Sequence, residues 1–278
     1  MDLIRILILA IVQGAAELLP VSSSAHVIVA EKLMGLDPTA PEMTLLLVML
    51  HTGTMFAVIV YFWRSWRRTY LESWQSFRTQ AGFLVVATTA TGVIGLVLMR
   101  VLKSVVANDS PDFEIERLFG NARLMAAALF AAGLLIIVSS RLREGNRTLS
   151  LARAAWIGAV QGLCLPFRGF SRSGATISTG LLLGITRVRA EEFSFALAVV
   201  LTPAVIGREA LRLLKAEAAH GGSGSFVHAF GPSVLGMLLS FLAGLVALRW
   251  LSNWLEHGRW HVFGLYCLVA AVGVLWLG

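Results

Sequence analysis

Two clusters of polar side chains interrupt otherwise apolar sequence, and each holds groups able to bind or cleave a phosphate. The first contains Gln13, Glu17, Ser22, Ser23, Ser24 and His26; the second contains Ser171, Arg172, Ser173 and Thr176. A Val-Gln-Gly triplet opens each region, one beginning at Val12 and including Gln13, the other beginning at Val160, roughly half the 278-residue chain apart. A carboxylate, an imidazole and a guanidinium retained in apolar surroundings point to function before packing.

Gln13 and Glu17 are four apart and share one helical face. Such a pair reads as a surface hydrogen bond or, in apolar sequence, as a carboxylate that holds a divalent cation or takes a proton. The spacing does not choose between these. Ser22, Ser23 and Ser24 suit the cap of a helix, and the same N-terminus offers free N–H groups and positive charge to an anion. His26, in the first turn of that helix, can exchange a proton near neutral pH.

In the second cluster Arg172 lies between two serines at a helix start, with Thr176 one turn on. A guanidinium there can pair with Glu17 or clamp a phosphate through two parallel hydrogen bonds. Two helix N-termini, an arginine and several hydroxyls describe a phosphate or diphosphate pocket. Glu17 and His26 beside it make hydrolysis the expected chemistry. Arg168 reads as a second phosphate contact or a structural pair. His51, ahead of Thr52-Gly53-Thr54, reads equally as cavity lining or as packing.

The elements that must position these groups follow from composition. With 57% hydrophobic and 14% charged residues, the chain is unlike a soluble domain. Six apolar runs, 44–63, 82–102, 121–140, 193–211, 230–251 and 261–277, are expected to cross a hydrocarbon core of about 30 Å as helices. The alternating ten-residue segments of a membrane barrel are absent. The net charge of +7 sits in loops, as the positive-inside rule expects, and no basic-aromatic stripe suggests nucleic acid. Cys164 and Cys267 suggest neither a disulfide framework nor a metal cluster. The N-terminal residues loosely imitate a signal peptide, but Asp2 spoils that pattern and cleavage would remove Gln13 beside Glu17.

Pro20 and the serines after it split residues 3–34 into helices over 3–19 and 24–34. Pro166 to Gly169 split the second segment into helices over 152–165 and 173–185. Helices of half-bilayer length starting at polar residues predict re-entrant hairpins. One hairpin and three spans per half make an inverted repeat, 1–140 and 141–278, within a single integral membrane domain of 1–278. The expected fold is thus an all-α polytopic membrane protein, with both breaks meeting near the midplane. Arg64, Arg67, Arg68, Arg78, Arg141, Arg143, Arg147, Arg153, Arg187, Arg189 and Arg259 mark the expected cytoplasmic face, so the first hairpin is expected to open outside.

Together these motifs resemble the undecaprenyl-diphosphate phosphatase family associated with bacitracin resistance. Gln13-x-x-x-Glu17 is similar to its Glu/Gln-x-x-x-Glu motif, and Ser22-Ser23-Ser24-Ala25-His26 to the Ser-Ser-x-x-His that follows. Gly169-Phe170-Ser171-Arg172-Ser173-Gly174-Ala175-Thr176 resembles Pro-Gly-x-Ser-Arg-Ser-x-x-Thr, with Arg168 in place of the proline and Pro166 two residues earlier. The resemblance spans essentially the whole chain. It implies an inner-membrane hydrolase of the isoprenyl diphosphate carrier, recycling it for cell-wall synthesis at the outer face. It also implies a divalent cation, Mg2+ or Ca2+, associated with Glu17, and a homodimer. Glu17 and His26 become the acid-base or metal-associated pair, Ser23 the nucleophile or a phosphate ligand, and Arg172 the phosphate clamp. Gln13, Ser22, Ser171, Ser173 and Thr176 become substrate contacts.

Two rivals use the same residues differently. A secondary transporter or flippase for an anionic lipid shares the broken-helix plan, although transport alone needs no nucleophile beside an acid-base pair. An intramembrane serine protease would need an oxyanion hole for a peptide, and no second polar constellation supplies one.

Overall fold

The computed structural model describes residues 2–36, 41–107, 121–167, 169–220 and 223–277, except for the side chains of some residues within its helices. Among these the fold is all-α. Its helices are α1 (Leu3–Leu18), α2 (Ser23–Leu33), α3 (Pro41–Tyr70), α4 (Trp74–Ala107), α5 (Ala122–Ser140), α6 (Leu151–Cys164), α7 (Arg172–Leu182), α8 (Arg187–His220), α9 (Ser223–Glu256) and α10 (Trp260–Leu277).

Among the described residues four helices are long and apolar enough to cross a membrane: Met43–Tyr70, Trp74–Ser104, Ala122–Ser140 and Phe230–Glu256. They contain four of the six expected runs. The run at 261–277 forms a shorter apolar helix, Trp260–Trp276. The run at 193–211 lies inside α8, several of whose side chains are outside the described residues. Leu3, Ile4, Leu7, Ile8 and Ile11 stay exposed along α1, as do Val93, Leu96, Val97 and Val101 along α4. Outward apolar stripes of this extent suit a hydrocarbon solvent.

Packing divides the chain into two compact units. One comprises 1–19, 23–63 and 198–251; the other comprises 20–22, 64–197 and 252–278. In the first, Ile6, Leu9 and Ala10 of α1 form a core with Val27 of α2 and Met43, Leu46 and Leu50 of α3. Gly14 lets α9 approach closely: a Cβ there would lie 2.6 Å from the Ala243 Cβ and 2.8 Å from the Ser240 carbonyl oxygen. Small residues at contacts are what allow helices to dock in lipid, where burial of apolar surface gives no drive. The Ser240 hydroxyl then donates to the Leu50 carbonyl at 3.0 Å, tying α9 to α3.

In the second unit α6 lies against α4. Thr91 Oγ1 bonds to the carbonyls of Ala87 and Gly158, each at 2.8 Å. α10 packs on α5 through Gly133 and Gly264. It also reaches the first break and the middle of α7, with Cys267 Sγ donating to the Pro20 carbonyl at 3.1 Å and Trp260 Nε1 to Ser178 Oγ at 3.1 Å. The start of α8 buries two carboxylates. Glu191 accepts from Ser252, and Glu192 accepts from Ser65 and from Arg189, the latter at 2.7 Å.

Candidate active site

The first cluster forms around the break between α1 and α2. α1 ends at Leu18, and Leu19 is extended, as the residue before a proline prefers. Ser22 then adopts φ 68°, the left-handed region, and α2 begins at Ser23. A serine in that conformation is strained by about 1–2 kcal/mol, and such strain gathers at functional sites. The turn returns Ser23 to the end of α1. Its hydroxyl donates to Glu17 Oε2 at 2.6 Å, a short charge-assisted bond. Gln13 Nε2 donates to the same oxygen at 3.3 Å, so the pair foreseen one turn apart is formed.

His51 joins this group from α3. Its Nδ1 lies 2.8 Å from the Leu47 carbonyl, which can only accept, so Nδ1 carries a proton. Its Nε2 is therefore the atom turned to Glu17 Oε2, at 3.8 Å. His51 therefore sits beside the Glu17 carboxylate with 36% of its side chain exposed. Its polar sequel Thr52-Gly53-Thr54 in an apolar span was the available signal. Glu17 keeps 20% of its side chain exposed, so the carboxylate is reachable from outside the fold. His26 lies in the first turn of α2, half-buried. The side chain of Ser24 lies outside the described residues.

The second cluster is built on α7. Ser171 caps the helix, its Oγ accepting from the Gly174 N–H at 3.2 Å, so α7 starts at Arg172, one residue before the expected Ser173. The Ser171 and Ser173 hydroxyls are 3.4 Å apart and both are buried. Thr176 Oγ1 lies 2.8 Å from the Arg172 carbonyl and 2.6 Å from Ser194 Oγ. It must donate to the carbonyl, and so it accepts from Ser194. Thr176 thus braces α7 against α8, and Ser194, a hydroxyl hidden in an apolar run, is a partner that hydropathy alone conceals. The Arg172 guanidinium is close enough to the end of α6 for its charge to act on the Cys164 thiol. Arg168 lies outside the described residues.

The structure therefore brings Gln13, Glu17, Ser23 and His51 together in one unit, and Ser171, Arg172, Ser173 and Thr176 together in the other. Among the described residues no group of three His, Cys, Asp or Glu side chains is placed to hold a metal ion. Glu17 offers one carboxylate, already bonded to Ser23 and Gln13. That suits a Mg2+-type ion completed by water and substrate phosphate oxygens, and not a cage made wholly of protein.

A profile of the family described as bacitracin resistance protein BacA matches residues 6–273. The chain belongs to that family. It is 64% identical over 282 residues to undecaprenyl-diphosphatase 2 of Acinetobacter baylyi, covering 100% of this chain and 98% of the relative. It is 33% identical to the undecaprenyl-diphosphatase of Rhodopirellula baltica, over 99% of this chain and 98% of that one. A third relative, from Thermus thermophilus and also named undecaprenyl-diphosphatase, is 33% identical over 95% of this chain and 93% of its own. With its apolar helices, membership of this family makes the chain a multi-pass membrane protein.

Proposed function

We propose that this chain hydrolyses undecaprenyl diphosphate to undecaprenyl phosphate and inorganic phosphate. That reaction returns the lipid carrier to cell-wall synthesis and confers tolerance to bacitracin. The observation that carries the reading is the Ser23 hydroxyl set 2.6 Å from the Glu17 carboxylate at a helix start. The printed names of the relatives support the same substrate.

In this reading Glu17 takes the proton from an oxygen nucleophile, either Ser23 Oγ or a water in its place. The oxygen attacks the terminal phosphorus, the bond to the bridging oxygen breaks, and undecaprenyl phosphate leaves with the electron pair. If Ser23 attacks, water then releases phosphate from the serine. Arg172 and the free N–H groups of α7 offset the charge that builds on the phosphoryl oxygens. His26 returns a proton to the leaving oxygen. Gln13 and His51 hold the carboxylate in place, and Ser22, Ser171 and Ser173 line the head group. A Mg2+ or Ca2+ ion held by Glu17 and diphosphate oxygens would, when bound, spread the negative charge of the substrate.

The two hairpins are proposed as re-entrant halves of an inverted repeat that share one diphosphate, in the inner membrane, with the site open to the outer face and the protein paired as a homodimer. The matched triplets and breaks support this arrangement. Phosphate release by purified protein in detergent tests the function, with Glu17→Ala expected to abolish nearly all of it. Phosphate trapped on the protein and lost in Ser23→Ala would assign the nucleophile. Movement of intact lipid without phosphate release would favour a flippase instead. A disulfide between Ser23→Cys and Arg172→Cys tests whether the two breaks share one head group.

A further inference from the structure

The second Val-Gln-Gly triplet carries a side chain for which the reaction above has no use. Gln161 is 1% exposed, and neither its amide oxygen nor its nitrogen meets a hydrogen-bonding group among the described residues. Buried polar atoms are normally paired, and each exception asks for a reason. Its counterpart Gln13 is paired, since Nε2 reaches Glu17 one turn on. One turn after Gln161 the chain has Leu165, which offers the amide nothing.

Helical register locates the amide. Gly158 and Gly162 face α4, where a Cβ would strike the carbonyl oxygens of Ala87 and Thr91. Ile157, Gln161 and Cys164 fall on a different stripe of α6. Ile157 lies against Gly180 of α7, and Cys164 ends α6 where the chain turns back through Gly169 to Arg172 at the start of α7. The two helices are thus antiparallel along this stripe, and Gln161 sits level with Ala175 and Thr176. The Thr176 hydroxyl is already committed to Arg172 and Ser194. Among the described residues Gln161 has unused hydrogen-bonding capacity at that level, about one turn along from Arg172 at the start of α7.

We infer that Gln161 is a phosphate-binding residue of the second hairpin, its Nε2 donating to an oxygen of the phosphoryl group that Arg172 clamps. The amide oxygen accepts from a P–OH. A terminal phosphoryl group can carry such a proton and a bridging oxygen cannot, so the amide favours the end of a diphosphate. This inference rests on the diphosphatase reading and extends it to a residue outside the recognised motifs.

The test uses the full chain in detergent, with inorganic phosphate as the probe in calorimetric titration and undecaprenyl diphosphate for turnover. Gln161→Leu is expected to weaken phosphate binding and lower kcat/KM by about tenfold each, the size of one lost hydrogen bond to a charged group. Its melting temperature should hold or rise, because an unpaired buried amide has gone. Gln161→Met, closer in shape, decides the matter if the leucine variant does not fold. A phosphate Kd within about twofold of the wild type overturns the inference, and so does failure of both variants to fold or absence of phosphate binding by the wild type. If the wild type binds phosphate, Gln161→Leu loses it, and neither releases phosphate from the lipid, the diphosphatase reading fails and the binding role stands.

Discussion

Hairpin one (α1 and α2) and hairpin two (α6 and α7) share a plan and turn their chains by different means. Each places a proline two residues past the last residue of its leading helix, and each follows the break with an 11-residue helix. The residue before Pro20 is extended, whereas Leu165 before Pro166 keeps helical angles. Hairpin one then turns through Ser22 at φ 68°, and hairpin two through Gly169 at φ 102°. Side chains diverge in the same way. Around hairpin one a hydroxyl and an imidazole gather at a carboxylate on a partly exposed side chain, while hairpin two buries every residue from Ser173 to Leu181. One hairpin accepts strain and exposure around a carboxylate; the other is sealed behind the helix that Arg172 begins.

Removing the reactive group should break this division most severely. Glu17→Gln keeps the shape and the bond to Gln13 but loses the proposed base, so kcat should fall by about 10³-fold, within the range of general-base losses. Arg172→Ala should cost about 10²-fold in kcat/KM, and Arg172→Lys should recover only part, because an ammonium lacks the paired donors. Steady-state phosphate release checks both. Equal losses for Glu17→Gln and Arg172→Lys would erase the distinction between reactive and clamping hairpins.

The two turns give predictions of opposite sign. Gly169→Ala would put a Cβ 2.5 Å from the Met125 carbonyl oxygen at an unfavourable φ, so it should destabilise by about 2–3 kcal/mol. Ser22→Gly should relieve the left-handed strain and stabilise by up to about 1 kcal/mol, while disturbing the pose of Ser23 and lowering turnover. Thermal melts beside activity measure the pair, and a destabilised Ser22→Gly would show that this turn stores no strain.

The smallest effect concerns the support behind hairpin two. Glu191 stands on α8 one turn ahead of Ser194, which bonds Thr176. Burial pushes its carboxyl up to about 8, the Ser252 hydroxyl opposes this, and Glu256 and Glu192 add to it. The folded chain therefore holds a proton that the unfolded chain has released above the ordinary value of 4.5. Stability from this group is complete below that value and is lost as pH rises through about 8. Melting temperature should drop by a few degrees across that window, and Glu191→Gln should flatten the profile.

Local chemistry made much of this legible in the sequence. Pro20 and Pro166 announced both breaks, and the serines announced both helix starts to within a residue. Apolar runs located the spans but not their lengths. α3 continues through Arg64, Arg67 and Arg68 to Tyr70, because arginine is a good helix former and its stem can lie along an apolar surface. What stayed hidden depends on distant parts of the chain. Nothing near His51 says that it meets Glu17, and nothing near Thr176 points to Ser194. The packing of 198–251 with 1–19 and 23–63 is likewise silent in hydropathy, since docking turns on close approaches such as those at Gly14 and Gly53.

α10 supplies none of the groups given a chemical role above, yet it touches the first kink, through Cys267 at Pro20, and the helix after the second, through Trp260 at Ser178. It serves as a buckle on parts of the molecule that lie far upstream in the chain. Shortening the protein ahead of Trp260 should therefore silence it as thoroughly as deleting a reactive group, and a bulky fusion at this end should be felt at Pro20 and along α7.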